Sequence, residues 1–221
     1  MLKACTLFYR NDALDPEAFQ QYWRTQHVPF VTRMPGVRRY VQNHPRLDMQ
    51  QGAPYDGFVE LWVDDTAALK ALAASPEYAR VVEDEKVFAD RSRIDLTLTE
   101  EHVVLDGAVP KGAIKQVVLL KRRPDLSPAD FQAYWLERHA PLVGTPPGLC
   151  RYVQSHAKLS GYRDGKEPTW DGFGEMWFES VEAMKAARKA PGQDKVRDDG
   201  PNFADMTRLK SMFVTEHVML G

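Results

Sequence analysis

Cysteine is scarce in this 221-residue chain, which has only Cys5 and Cys150. Two such residues cannot make the disulfide framework of a small secreted domain, and they are too far apart for zinc-ligand spacing; one disulfide is open to them, but they read first as two free, largely buried thiols. An excess of charge of either sign is also lacking: 29 Lys and Arg against 31 Asp and Glu leave a net charge of −2. No global field draws nucleic acid or an anionic membrane, and neither is expected as a partner. Apolar runs such as Val117-Val118-Leu119-Leu120 fall far short of the roughly 20 residues needed to span a bilayer. The N-terminus lacks a basic-then-apolar signal pattern, so the expected location is cytoplasmic. Glycine-rich phosphate loops, the dinucleotide fingerprint, the nucleophile elbow and helical i, i+4 histidine pairs are all missing. The sequence therefore asks for no metal and no cofactor.

What the chain does have is a long internal repeat. Ala18-Phe19-Gln20-Gln21-Tyr22-Trp23-Arg24-Thr25-Gln26-His27-Val28-Pro29 returns as Asp130-Phe131-Gln132-Ala133-Tyr134-Trp135-Leu136-Glu137-Arg138-His139-Ala140-Pro141, an offset of 112. Arg39-Tyr40-Val41-Gln42-Asn43-His44 matches Arg151-Tyr152-Val153-Gln154-Ser155-His156 in the same register. Further on the offset is 115, pairing Asp56-Gly57-Phe58 with Asp171-Gly172-Phe173 and Glu101-His102-Val103 with Glu216-His217-Val218. All six histidines fall into three matched pairs, 27/139, 44/156 and 102/217. A period this long means two copies of one domain, not a solenoid. The expected boundaries are 1–106 for the first copy, a linker over 107–113, and 114–221 for the second. Cys5 aligns with Val117 and Cys150 with Arg38, so neither thiol belongs to the duplicated design.

Each copy carries the same succession of local signals. The apolar runs from Leu2 to Tyr9 and from Ile114 to Lys121 read as strands. Asp15-Pro16 and Ser127-Pro128 place a capping residue before a proline at the first helical position. Phe19, Trp23, His27 and Phe30 follow at helical spacing, and Pro29 is expected to end or kink that helix close to His27. After Gly36 and Gly148 comes a second strand with Tyr40, Gln42 and His44 on one face. A loop of different length follows, seven residues from Asp48 to Pro54 in one copy and ten from Ser160 to Thr169 in the other. A third strand runs from about Asp56 to Val63 and from Asp171 to Phe178. Helices are expected over 65–74 and 180–189, then a less regular, partly helical stretch to Asp90 and Asp205, then a last strand over 94–105 and 209–220. Strand, helix, strand, strand, helix, strand is the ferredoxin-like order, an antiparallel sheet with helices on one face. The bare face needs a cover. The expected class is α+β, two ferredoxin-like (βαββαβ) repeats packed sheet to sheet as an intramolecular dimeric α+β barrel.

Tyr22-Trp23 with His27 and Pro29, the run Pro35-Gly36-Val37-Arg38-Arg39-Tyr40-Val41-Gln42 with His44, Tyr55-Asp56-Gly57 with Glu60-Leu61-Trp62, and Glu100-Glu101-His102-Val103-Val104-Leu105 together resemble the EthD family of the dimeric α+β barrel superfamily. The resemblance covers nearly all of both copies. It implies relatives that include an accessory protein of ether degradation and decarboxylases or dehydratases of polyketide pathways. More distantly it implies cofactor-free monooxygenases, cyclases and lactone isomerases, with haem used in remote members. Most family members are single domains that dimerise. A fused pair is expected to be a monomeric pseudo-dimer, with a further homodimer left open.

Tyr40, Gln42 and His44, repeated as Tyr152, Gln154 and His156, form a polar strand face beside a loop that could serve as a lid. A histidine can move a proton near neutral pH, a glutamine can orient a carbonyl, and a tyrosine can donate to an oxyanion. The same face could equally be a hydrogen-bonded interface between two sheets. His27 and His139, with Tyr22, Trp23, Tyr134 and Trp135, make an aromatic helix face ending in an imidazole, which is either functional or a helix C-terminal cap. His102 and His217 lie in the last strands and Trp170 beside the longer loop. Glu60 is expected to pair with a cation such as Arg39. The catalytic candidates are thus His44, His156, His27 and His139. The substrate-binding candidates are Tyr40, Gln42, Tyr152, Gln154, Tyr22, Tyr134, Trp23, Trp135, Trp170, His102 and His217. The expected function is a cofactor-independent lyase or isomerase, performing decarboxylation, dehydration or cyclisation by histidine acid/base chemistry on a small hydrophobic, aromatic or polyketide-like molecule. A non-catalytic accessory or small-molecule-binding protein and a cofactor-free monooxygenase are the alternatives. The differing loops suggest that a small anionic aromatic ligand prefers the second copy.

Overall fold

Strand β1 (Leu2–Arg10) leads to a helix that starts where its residues dictate: the Asp15 carboxylate accepts from Ala18 N at 2.7 Å and Pro16 takes the first turn. That helix, α1 (Pro16–Tyr22), does not stop near Pro29. It widens into a π-helical turn over Trp23–His27 and resumes as α2 (Val28–Val31), with Pro29 in a first turn where its missing N–H costs little. The structure is a computed structural model that describes residues 1–49 and 52–221. Gln50 and Gln51, in the middle of the first copy's expected lid loop, lie outside the described residues.

Next come β2 (Arg39–Pro45), β3 (Gly57–Val63), α3 (Thr66–Ala73) and α4 (Pro76–Phe88). The stretch expected to be only partly helical is a regular 13-residue helix, capped by Ser75 with Pro76 at its start. Strand β4 (Ala89–Leu105) begins five residues earlier than its expected start at Ile94. The second copy repeats the order: β5 (Ile114–Leu120), α5 (Pro128–Tyr134), a π-turn over Trp135–His139, α6 (Ala140–Val143), β6 (Leu149–Ala157), β7 (Gly172–Phe178), α7 (Val181–Ala187), α8 (Gln193–Asp199) and β8 (Lys210–Leu220). Its longer loop forms a 3-10 turn over Leu159–Gly165.

The chain divides into two compact units, Met1–Leu98 with Glu216–Gly221, and Thr99–Thr215. In the first, β1 pairs with β3 and β3 with β2, all antiparallel, setting Thr6 opposite Val59 and Phe8 opposite Gly57. In the second, β5 pairs with β7 in the matching register, Val118 opposite Gly174 and Leu120 opposite Gly172, while β6 pairs with Thr99–Leu105, the far end of β4. Each unit is thus completed by the end of the other copy's last strand. The hydrogen-bonded order β1-β3-β2-β8-β5-β7-β6-β4 closes as an eight-stranded antiparallel barrel in an α+β fold.

Alternation along the strands sorts the buried residues. In the first unit Phe8, Phe19, Trp23, Phe88 and Ala89 form one apolar cluster on the helix-covered face, joined by Val59. On the other face Lys3 Nζ lies 2.6 Å from Glu60, both fully buried, and Asn43 Nδ2 donates to the same carboxylate at 2.7 Å. The cation on Glu60 is therefore Lys3 and not Arg39, which stacks over the Trp62 ring at 4.9 Å. Lys115 and Glu175 repeat the pair at 2.7 Å.

Candidate active site

The π-turn is what organises the site. In the second copy, Ala140 N–H bonds to Trp135 O, five residues back, and the same carbonyl accepts from Gln154 Nε2 at 3.1 Å. Gln154 gives its other amide hydrogen to Tyr152 Oη at 2.8 Å, so its Oε1 can only accept, and it does so from His156 Nε2 at 2.9 Å. Both donors being spent, the network fixes His156 as the Nε2–H tautomer. The first copy repeats every link: Gln42 to Trp23 O at 3.0 Å and to Tyr40 Oη at 2.7 Å, His44 to Gln42 at 3.0 Å.

The face bearing Tyr40, Gln42 and His44 thus meets the π-turn of its own helix layer, which corrects the alternative that it joins two sheets. His44 stacks on Trp23 with centroids 4.4 Å apart, and His156 on Trp135 at 4.7 Å. Each also meets a last-strand histidine, His217 for His44 at 4.8 Å and His102 for His156 at 4.4 Å. Burial, abetted by the facing imidazole, pushes both His44 and His156 down to about 3. These imidazoles are neutral at physiological pH. Burial pushes the Tyr152 hydroxyl up to about 12, and Tyr40 is shifted the same way, so both phenols stay protonated.

At the last residue of the widened turn, His139 points elsewhere. Its Nδ1 lies 2.9 Å from Asp199 Oδ2, and Tyr134 Oη donates to Asp199 Oδ1 at 2.7 Å. A carboxylate only accepts, so Nδ1 carries the hydrogen and Nε2 is left with a lone pair. Burial opposes ionisation of Asp199, but hydrogen bonds from Asn202, Tyr134 and His139 outweigh it and hold the carboxyl below its usual range. Burial lowers the pKa of His139, offset only in part by Asp199. His27, Asp84 and Tyr22 copy the arrangement, at 2.7 Å for His27 to Asp84 and 2.8 Å for Tyr22 to Asp84. Neither histidine is a helix C-terminal cap, since the helix continues past both.

The copies differ in what surrounds this dyad. In the second, a cavity of about 240 Å³ lies between the sheet and the helices, lined mostly by apolar side chains and reached by His139, Trp135, Tyr152, Phe203 and Arg188. Leu120, Gly174 and Ala187 form part of its wall. At the matching positions the first copy has Phe8, Val59 and Leu72. Phe8 packs against Trp23, Phe19 and Phe88, and Leu72 sits in a second cluster with Met34, Leu61 and Val81. Glu85 and Arg91, ion-paired in the first copy, replace the lining residues Gly200 and Met206. The side chain of His139 is accordingly 12% exposed, that of His27 only 5%.

Among the sequence candidates, the structure brings His139, Trp135 and Tyr152 to the cavity, with Gln154 and His156 behind Trp135 and Tyr134 behind Asp199. His27, Tyr22, Trp23, Tyr40, Gln42, His44 and His217 form the filled counterpart. Trp170 is buried under Lys210, and Tyr162 of the longer loop donates to Asp171; neither lines the cavity. Sequence reasoning missed Asp84 and Asp199, although they repeat at the 115-residue offset as His102 and His217 do. It also missed Gln116 and Arg188, which break the repeat, standing where the first copy has Ala4 and Ala73. Among the described residues, no group of three or more His, Cys, Asp or Glu is placed to hold a metal ion, and no helix is long and apolar enough to cross a membrane.

Comparison with known proteins agrees with the repeat and the fold. A protein of Rhodococcus erythropolis, described as an uncharacterized 11.0 kDa protein in the thcB-thcC intergenic region, is 29% identical over 102 residues, 45% of this chain and 95% of the relative. An anthrone oxidase-like protein superposes with a TM-score of 0.69 at 14% identity, over 99% of this chain and 93% of the other. A mutant chlorite dismutase from Candidatus Nitrospira defluvii gives 0.56 at 8% identity, over 97% and 91%. These two likenesses are of fold. The EthD domain is matched twice, by residues 11–92 and 123–207, and the chain belongs to the EthD family.

Proposed function

We propose that the cavity of the second copy is an active site in which His139 moves a proton on a small aromatic or polyketide-like molecule. One observation carries the reading: the imidazole lines a mostly apolar cavity while Asp199 holds its Nδ1, leaving Nε2 basic and facing no protein partner among the described residues. The lowered pKa keeps His139 unprotonated at neutral pH, as a base requires. Asp199 fixes the tautomer and stabilises the imidazolium formed when Nε2 takes a proton from an acidic C–H or phenolic O–H. The resulting enolate can expel a β-hydroxide, which the imidazolium protonates to water, or attack an internal carbonyl, whose oxygen then takes the proton back. A β-keto carboxylate reaches the same enolate by losing carbon dioxide, the C–C bonding pair passing to the carbonyl and a proton closing the step at carbon. Tyr152, held protonated, is available as a donor to the enolate oxygen.

A second reading carries the same carbanion to dioxygen, and the likeness in fold to the anthrone oxidase-like protein favours it. There a CH₂ group becomes C=O, one oxygen atom entering the product and the other leaving as water. A third, binding without turnover, follows from the apolar lining alone.

Exchange of an acidic C–H for deuterium, followed by NMR with a panel of enolisable one- and two-ring aromatics, tests the common step. Wild type should exchange at least one of them and His139→Gln should not. Consumption of oxygen alongside exchange selects the second reading. Ligand binding with no exchange on any panel member leaves the third.

A further inference from the structure

Arg188 follows α7 at the rim of the cavity. Its guanidinium lies over the Phe213 ring, 5.2 Å from the centroid, and one Nη donates to Gln116 Oε1 at 3.2 Å. Arg38, Arg46, Arg93 and Arg123 are each held above the ordinary arginine value by an aspartate. Arg188 has no carboxylate partner among the described residues, and burial shifts it the other way. The Gln116 side chain is itself largely buried and lines the cavity. With Oε1 turned to the arginine, its Nε2 has hydrogens to give and no acceptor among the described residues.

These two residues stand outside the duplication. The first copy has Ala4 and Ala73 in their places, where its core is filled. The open cavity thus coincides with an arginine and a carboxamide whose uncommitted N–H groups converge on its rim. A guanidinium beside apolar surface with no acid of its own is a receptor for an anion, and a planar anion suits its fork.

Resting on the reading of this cavity as the active site, we propose that Arg188 and Gln116 bind the anionic group of the ligand, a carboxylate or phenolate carried by one ring or two fused rings. Size sets the ring count. An apolar cavity of roughly 150 Å³ already takes benzene, and about 240 Å³ leaves room for little more than a second ring. The anion at the rim and the apolar body inside give the molecule one orientation, with its rings against Trp135 and Phe203 and toward His139.

The probes are 2-naphthoate and its uncharged, nearly isosteric carboxamide, 2-naphthamide, titrated by calorimetry into the intact protein. Wild type should bind the carboxylate about tenfold to a hundredfold more tightly, the range for a hydrogen bond to a charged group. Arg188→Gln should abolish that preference while leaving 2-naphthamide affinity unchanged, and Arg188→Lys should keep part of it. Arg188 is at the rim, so these variants should keep the wild-type circular dichroism spectrum. Equal affinity of wild type for the two probes, an undiminished preference in Arg188→Gln, or no binding of either probe would each overturn the proposal. Deuterium exchange by wild type separates it from the catalytic reading: preference without exchange sinks the enzyme and spares the anion site, and exchange without preference does the reverse.

Discussion

Phe8 packs edge-on against Trp23, with ring centroids 5.0 Å apart and planes at 89°. Its counterpart Leu120 leaves the equivalent flank of Trp135 open to the cavity. Across the sheet, a Cβ on Gly174 would sit 3.4 Å from Trp135 Cζ2, an ordinary contact, so a valine there would direct its methyls into the void. Leu120→Phe with Gly174→Val should therefore close the second cavity and abolish turnover and ligand binding without lowering the melting temperature. Phe8→Ala should leave turnover intact but cost about 3–5 kcal/mol, as for an aromatic removed from a packed core. Urea titration beside an activity assay distinguishes the two effects.

Asp199→Asn should lower kcat on the order of 10²-fold, because the amide can present a donor to Nδ1 and favour the wrong tautomer. It also removes the influence that raises the pKa of His139, while burial still lowers it. The acid limb of the pH profile, set by loss of the unprotonated base, should lie below pH 6.5 in wild type and move lower still in the variant. Asp84→Asn should leave kcat unchanged, its histidine being enclosed.

Acid should weaken the fold through His44 and His156. An unfolded chain protonates each near pH 6.5, whereas the folded chain resists until about 3. Their stabilising effect is fully present above pH 6.5 and is lost as pH falls through the interval between those values, by about 1.4 kcal/mol per unit for each histidine. Between pH 6.5 and 5, carboxylates scarcely titrate. Urea midpoints over that range should slope less steeply in His44→Gln with His156→Gln than in wild type.

Gln154→Leu strands the His156 N–H and takes one of two donors from the Trp135 carbonyl, for an expected loss of about 1–3 kcal/mol for the buried N–H left unpaired. The π-turn it secures also sets where His139 points. Turnover should therefore fall further in this variant than in Gln42→Leu, with the two equally destabilised by thermal melts.

The two-copy α+β design was readable because capping pairs such as Asp15-Pro16 and Ser127-Pro128 and period-two strand patterns act locally. The π-turn was not, because it depends on a carboxamide 19 residues away, Gln42 against Trp23. Glu60 was matched to the wrong cation for a related reason: Lys3 reaches it across a strand pairing, and neither residue signals the other in sequence. Matching residues between copies found every histidine but drew attention away from the departures. Gln116, Leu120, Gly174 and Arg188 are informative because they fail to repeat.

The exchanged strand ends carry an implication for inheritance. Strand β6 finds its neighbour in Thr99–Leu105, encoded ahead of the second copy's own sequence. A fragment beginning at Ile114 would present β6 as a bare edge, able to recruit another chain. The copies thus differ in their interiors, one packed and the other holding a cavity, while the strand end that completes β6 ties them together. The filled copy supplies the strand end that borders β6 of the copy that holds the cavity.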